Sequence, residues 1–255
     1  AVELTDLATL RAQGPPIFER VRVEQAGSIE RSPHWWDRTL HQVEVPGSEP
    51  AKGQVALYRA EGGALEGYVI YEVASDADGM RPRGTLTLRE LLAATPAAYA
   101  ALWSFCCGVD LVTSIDARMR PTDEVLPYLL ADGRDVKLTS RDDFVWVRVL
   151  DVPAALEGRA FATPGRLVLE VVDGAGLASG RFAVDASGEG TQCRPTTAPA
   201  DLTLPVGALG SLYLGGVSAR TLQLAGLVDE HLAGAVARAD CMFRTSRAPW
   251  CTTWF

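Results

Sequence analysis

Gln54-Val-Ala-Leu-Tyr-Arg-Ala60 and Leu65-Glu-Gly-Tyr-Val-Ile-Tyr-Glu-Val73 are two strand-like runs separated by Gly62-Gly63. A glycine pair between two such runs reads as a hairpin, so the spacing predicts an antiparallel pair of strands. Working outward, the turn at Asp76 to Gly79 leads into a further strand-like run, Gly84 to Leu92. Thr95-Pro96 then restarts the chain as a helix that carries Tyr99, Leu102, Trp103 and Cys106, with Gly108 expected just past its end. A strand near Val112 to Ala117 and a short helix near Asp123 to Leu130 complete this half.

Upstream, the first ~45 residues are charged and punctuated by proline. They include Pro15-Pro16, Ile17-Phe-Glu-Arg-Val-Arg22 and Ser32-Pro-His-Trp-Trp-Asp37. Ser32 before Pro33 fits an N-cap with proline at the first helical position, opening a short helix with Trp36 and Leu40. Downstream, Val145, Val147 and Val149 alternate with Trp146, Arg148 and Leu150, the period of a half-buried strand. A helix over Pro153 to Gly158 follows, then strands at Arg166 to Val172, Arg181 to Ala186 and Thr191 to Arg194. Helices are expected over Pro205 to Leu214, over Ala219 to Ala225 capped by Ser218, and from Asp229 through Leu232, Val236, Ala239 and Phe243. Strands and helices segregate in this half, which makes it α+β, and the boundary falls near Arg141 to Phe144. The expected domains are 1–142 and 143–255.

The chain has 255 residues, 24 basic and 32 acidic side chains for a formal charge of −8, and 47 % hydrophobic residues. That is enough apolar material for two cores and argues against disorder. The acidic balance, with no basic run interleaved with aromatics, argues against nucleic acid. The first residue is Ala1, which suggests a processed chain or a fragment. Cys106, Cys107, Cys193, Cys241 and Cys251 show no paired spacing, so reduced thiols in a cytoplasmic setting and no metal site are expected. Residues 1–19 lack the features of a signal peptide, and the apolar stretch Ala97 to Val109 falls short of the ~20 residues that span a bilayer.

Candidate chemistry is sparse. Gly174-Ala-Gly-Leu-Ala-Ser-Gly180 leads into a strand, where a helix N-terminus would be needed to hold a phosphate, and reads as a hairpin loop. There is no GxxxxGK[ST], no Arg/Gln-x-x-Gly-x-Gly/Ala turn before a helix, and no GxSxG elbow. His34, His41 and His231 read as solvated positions, and Cys106-Cys107 as buried, inert thiols. The tail, Ala248-Pro-Trp-Cys-Thr-Thr-Trp-Phe255, places three aromatics in the last six residues, whereas termini are normally polar and frayed. It is expected to insert into the protein, either to carry the α-carboxylate of Phe255 inside or to plug a core gap or subunit interface.

Leu209-Gly-Ser-Leu-Tyr-Leu-Gly-Gly216, Thr221-Leu-Gln-Leu-Ala-Gly226, Ala237-Arg-Ala-Asp-Cys-Met-Phe243 and Pro249-Trp-Cys-Thr-Thr-Trp-Phe255 resemble the C-terminal end of the enhanced intracellular survival (Eis) acetyltransferases. Trp36-Asp37 and the run from Gly67-Tyr-Val-Ile-Tyr71 through Ala101-Leu-Trp103 to Leu126-Pro-Tyr-Leu-Leu130 resemble that family's middle region. The resemblance covers nearly the whole chain in collinear order. It implies a GNAT-like mixed sheet with helices, lacking a cofactor loop, followed by a sterol carrier protein 2-like domain. A preceding GNAT domain would hold acetyl-CoA, and without it the chain alone is expected to be inactive.

The resemblance further implies a multi-acetylating aminoglycoside N-acetyltransferase that assembles as a hexamer, with a cationic amine as acceptor. The terminal carboxylate that serves as general base maps onto Phe255. A free α-carboxyl has a pKa of about 3.3–3.7, so burial would have to raise it for work near neutral pH. Trp36 is implied as an aromatic wall of the substrate cavity, or else as packing, and Trp254 occupies the penultimate site. Family members carry an acidic residue at that site, so Trp254 bears on amine preference. Two other readings compete: a non-catalytic module binding a lipid or small molecule, and an oligomerisation scaffold.

Overall fold

Most helix starts are fixed by a side chain that takes up a free backbone N–H. Asp6, Ser32, Thr95, Asp151 and Ser218 accept from Thr9, Trp35, Ala98, Ala154 and Thr221. A computed structural model describes residues 1–40, 42–43, 53–187 and 190–253. His41, Trp254 and Phe255 lie outside the described residues. The chain forms two units, Ala1–Arg141 with Trp250–Phe255, and Asp142–Pro249. The tail, expected as the end of the second domain, therefore groups with the first.

The first unit contains β1 (Val2–Thr5), α1 (Leu7–Gln13), α2 (Pro15–Glu24), α3 (Pro33–Thr39), β2 (Gln54–Arg59) and β3 (Leu65–Ala74). It continues with a two-residue ladder of β4 (Ala77–Asp78) and β5 (Arg81–Pro82), then β6 (Gly84–Ala93), α4 (Pro96–Cys107) and β7 (Val112–Ala117). The hairpin and the strand–helix–strand unit stand where the sequence puts them, but the short helix expected near Asp123 to Leu130 is only a 3-10 turn at Leu126–Tyr128. Gly108 ends α4 at φ −94°, without a left-handed turn. β1 and the pair α1–α2 were not expected. Pro15 tolerates the first position of α2 because no intrahelical acceptor awaits an N–H there.

The sheet order is β1-β2-β3-β6-β7, with β6 and β7 parallel and the other pairs antiparallel. One face packs Val55, Leu57, Tyr68, Ile70 and Leu92 against Leu10, Phe18, Trp36 and Leu40 of the N-terminal segment. The other packs Ala56, Val69, Tyr71, Leu88 and Leu91 against Leu102, Trp103 and Cys106 of α4. Gly67 permits that approach, since a Cβ there would fall 2.8 Å from the Leu92 carbonyl and 3.0 Å from Leu102 Cδ1. A bulge interrupts the β3–β6 ladder: Ile70 pairs with Glu90 but Tyr71 with Leu88, leaving Arg89 as the extra residue. That single residue turns Glu90 to the face of Tyr68 and Leu92 while Leu91 joins the face of α4.

The second unit contains α5 (Val152–Glu157), β8 (Gly165–Val172), β9 (Gly180–Ser187), β10 (Gly190–Pro195), β11 (Leu202–Pro205), α6 (Val206–Tyr213), α7 (Ala219–Leu224), β12 (Asp229–Glu230) and α8 (Ala235–Phe243). Its sheet runs β10-β9-β8-β11-β12, parallel only between β8 and β11. Leu167, Leu169, Val184, Leu202 and Leu204 face a core shared with Leu156, Leu209, Leu222, Ala239 and Phe243. On the opposite face Arg166 and Asp185 pair at 2.8 Å, and Arg181 and Glu170 at 3.1 Å. Gly174 to Gly180 is the hairpin loop between β8 and β9, organised by Asp173, whose carboxylate accepts from Ala175, Leu177 and Ala178 N–H groups.

Two expectations for this unit change. Residues 145–149 keep their alternating burial, with Val149 at 3 % and Trp146 at 84 % exposure, but form no ladder. The segment instead approaches α6 at Gly210, where a Cβ would fall 2.6 Å from the Val147 carbonyl. Asp229 belongs to β12 rather than to a helix start, so α8 begins at Ala235 and Leu232 stays exposed. The described residues contain no helix long and apolar enough to cross a membrane.

Candidate functional site

The bulge in β6 places a carboxylate inside the first unit, and an arginine answers it. Arg31, just ahead of the Ser32 cap, has a fully buried side chain, and that of Glu90 is 6 % exposed. Arg31 Nη2 donates to Glu90 Oε1 at 2.5 Å and Nη1 to Oε2 at 3.1 Å, while the Tyr68 hydroxyl donates to Oε2 at 2.8 Å. The guanidinium lies 4.3 Å from the Phe18 ring centroid and 5.2 Å from that of Trp36. Burial alone would discharge both groups. The opposed charges outweigh it, holding Arg31 above and Glu90 below their ordinary ranges. Burial, reinforced by the Glu90 charge, raises Tyr68, which therefore stays a neutral donor.

The remaining donors of Arg31 grip the tail. Nε donates to Thr253 Oγ1 at 3.0 Å, and Nη2 to the Thr252 carbonyl at 3.0 Å and to Thr252 Oγ1 at 2.9 Å. Thr253 is 1 % exposed, and Cys251 is buried with its Sγ 3.6 Å from the Thr253 carbonyl. Three residues before Thr253, Trp250 donates its indole N–H to the Met119 carbonyl at 2.6 Å and its backbone N–H to the Ala26 carbonyl at 2.9 Å. The Arg120 guanidinium lies 5.2 Å from the Trp250 ring, held by Glu124 at 2.7 Å and by the Leu91 carbonyl at 3.0 Å. Met119 has φ +53°, a left-handed conformation that is uncommon outside glycine.

Of the residues expected to act, Trp36 is placed and Trp254 and Phe255 lie outside the described residues. Trp36 is 2 % exposed, edge-on to Phe18 at 5.7 Å and tilted against Tyr68 at 6.5 Å. Its ring is thus enclosed by this unit's own side chains and supports Arg31. His34 and His231 are exposed, the latter 2.8 Å from Thr203 Oγ1. Cys106 is buried and its thiol pushed up to about 12 by desolvation, but Cys107 is exposed, against expectation. Arg31 and Glu90 were not singled out from the sequence. A charge inside Leu86-Thr-Leu-Arg-Glu-Leu-Leu92 was the available signal.

The strand–turn–helix step from β6 to α4 is where a nucleotide-like phosphate would ordinarily be gripped. Here Pro96 removes an N–H from the first turn, and the Thr95 hydroxyl accepts from Ala98 and donates to Glu66 Oε2 at 2.9 Å. Glu66 so puts a carboxylate at the helix N-terminus, and its carbonyl takes the Ala94 N–H at 2.8 Å. These residues do not fit the pyrophosphate of acetyl-CoA. Among the described residues no cluster of His, Cys, Asp or Glu is arranged to hold a metal ion.

Comparison with known proteins bears on this arrangement. An acetyltransferase (GNAT) domain profile matches residues 27–149, and a sterol carrier protein domain profile matches 152–252. An uncharacterized N-acetyltransferase of Streptomyces avermitilis is 40 % identical over 255 residues, all of this chain and 61 % of that protein. The N-acetyltransferase Eis of Mycobacterium tuberculosis is 34 % identical over 237 residues, 91 % of this chain and 54 % of that protein. Among solved structures, Eis1 of Mycobacterium abscessus aligns over the whole chain and 62 % of its own, with TM-score 0.83 and 33 % identity. A GCN5-related N-acetyltransferase of Anabaena variabilis, at 20 % identity and TM-score 0.77, shares the fold. The chain spans about three-fifths of the length of these relatives.

Proposed function

The chain belongs to the Eis family of GNAT-type N-acetyltransferases, and from that premise we propose that it forms the acceptor side of such an enzyme, with the α-carboxylate of Phe255 as general base. The observation that supports the base assignment is the burial of the tail at Thr253 under a charged clamp. The acetyl group comes from acetyl-CoA, whose binding falls to protein outside this chain, in keeping with the carboxylate at the α4 N-terminus. The acceptor is an amine of an aminoglycoside, a similar polyamine or a lysine side chain. Its neutral nitrogen forms a bond to the acetyl carbonyl carbon, the carbon–sulfur bond breaks with its electron pair leaving on sulfur as the coenzyme A thiolate, and the proton leaving nitrogen passes to the Phe255 carboxylate. The net charge of −8 favours the approach of a cationic acceptor. We further assign the parent enzyme to the cytoplasm and to a hexameric assembly, in line with the family resemblance.

The test is made in the full-length enzyme, by deleting Phe255 or by adding residues after it. Either change is expected to lower kcat by about 100-fold or more, the usual worth of a positioned base, with the fold intact by circular dichroism. Unchanged turnover would remove the assignment. The reading as a lipid carrier finds no favourable observation: Leu169, Phe182, Val184, Leu204 and Leu209 fill the helix-facing side of the second sheet.

A further inference from the structure

The buried pair of Arg31 and Glu90 is a costly way to hold a core together. Desolvating two charges consumes most of their attraction, and apolar residues of similar volume often serve as well or better. What a guanidinium adds is direction, through five donors in a fixed planar fork. Here one part of the fork is fixed by Glu90, itself fixed by Tyr68, and the rest faces two consecutive residues of the tail. We propose that Arg31 is a positioning residue that locks the register of the tail through Thr252 and Thr253, and so sets where the Phe255 carboxylate stands when it accepts the proton. This inference rests on the base assignment given above.

Three features of the contact support a register lock over simple packing. Arg31 reaches the Thr252 carbonyl and hydroxyl and the Thr253 hydroxyl. Slipping the tail by one residue would present the Cys251 thiol, a weak acceptor, or the Trp254 indole, which has no acceptor. The tail is also held at a second point, where the left-handed Met119 turns its carbonyl onto the Trp250 indole N–H. Local strain of this kind persists only where the surroundings determine it. From Thr253, covalent geometry limits the Cα of Phe255 to within about 7 Å. Because Glu90 neutralises Arg31, the clamp adds no net positive charge that would weaken a nearby base.

The test uses two readouts on Arg31→Lys and on the double variant Arg31→Met/Glu90→Gln, which removes the fork without leaving a buried charge unpaired. In this chain, carboxypeptidase digestion followed by mass spectrometry is expected to go no further than Thr253 in the wild type. In the double variant it should run through Thr252 toward Pro249, with Arg31→Lys intermediate. In the full-length enzyme the double variant should lower kcat by about 100-fold, the effect of a reacting group misplaced by about 1 Å, with KM for the acetyl donor unchanged. A digestion stop that survives the double variant overturns the clamp. Lost protection with unchanged kcat overturns its positioning role, provided deletion of Phe255 abolishes turnover. If deletion of Phe255 leaves turnover intact, the base assignment fails on its own terms, and the positioning role falls with it.

Discussion

The two units are built from similar parts and handle polar groups in opposite ways. In the first, both sheet faces are covered, and Arg31, Glu90, Tyr68 and Thr253 lie buried together under the tail. In the second, the sheet has helices on one face only, the core between them is apolar, and charged pairs such as Arg166–Asp185 stand on the open face. A sheet with one solvated face needs only alternation to be stable. A buried network of hydrogen-bonded charges is harder to justify by stability alone, and the contrast points to the first unit as the place where a segment of chain must be held in one position.

Breaking a buried pair and deleting a buried methyl cluster should both be severe, and they separate the two designs. Arg31→Met alone leaves Glu90 uncompensated and is expected to cost about 3–5 kcal/mol in urea unfolding of this chain, most of it recovered when Glu90→Gln is added. Leu169→Ala, at a fully buried position of the second sheet, should cost about 2–5 kcal/mol with no recovery partner and with the carboxypeptidase stop at Thr253 unchanged. If Leu169→Ala loosens the tail as much as Arg31→Met does, the assignment of the tail to the first unit is wrong.

The pH dependence sharpens the same contrast. Arg31 holds Glu90 below its ordinary value of 4.5, against the upward push of burial. A lowered folded-state value gives stability that is complete above 4.5 and lost as pH falls through the lowered value. The stop at Thr253 should therefore be the same at pH 7 and pH 5 and weaken only in stronger acid. Loss of the stop between pH 7 and 5 would contradict the ionised pair. The smallest effect is expected at the open face of the second sheet, where Arg166→Ala should change stability by no more than about 1 kcal/mol, as its side chain is 82 % exposed.

Local signals carried much of this fold. The β2–β3 hairpin, α4 with its Thr95-Pro96 start, and the β8–β9–β10 meander follow from turn glycines, caps and alternation. Where two patterns compete, the sequence misleads. Residues 145–149 alternate as a strand does, but their partner is the surface of α6 at Gly210 and not a ladder. Asp229 resembles a helix cap but pairs with Thr203 across β11. Aromatics at the end of the chain led to the expectation of an inserted tail; Cys251 and Thr253 are buried, and Trp254 and Phe255 lie outside the described residues. The clamp was not legible, because Arg31 meets partners 59 and 222 residues away, and the bulge at Arg89 hides which way Glu90 faces. Trp36, read from the resemblance as a cavity wall or else as packing, lies with its ring 5.2 Å from the Arg31 guanidinium.

The proposed role of the Phe255 carboxylate as proton acceptor is most directly tested by changing that group and nothing else. A full-length enzyme whose C-terminus is made by peptide ligation, as the free acid or as the primary amide, differs by one charge and one acceptor. With an aminoglycoside as acceptor, the amide is expected to turn over about 100-fold more slowly than the acid, at unchanged KM for acetyl-CoA. Equal kcat for the amide and the acid would show that the Phe255 carboxylate is not the base.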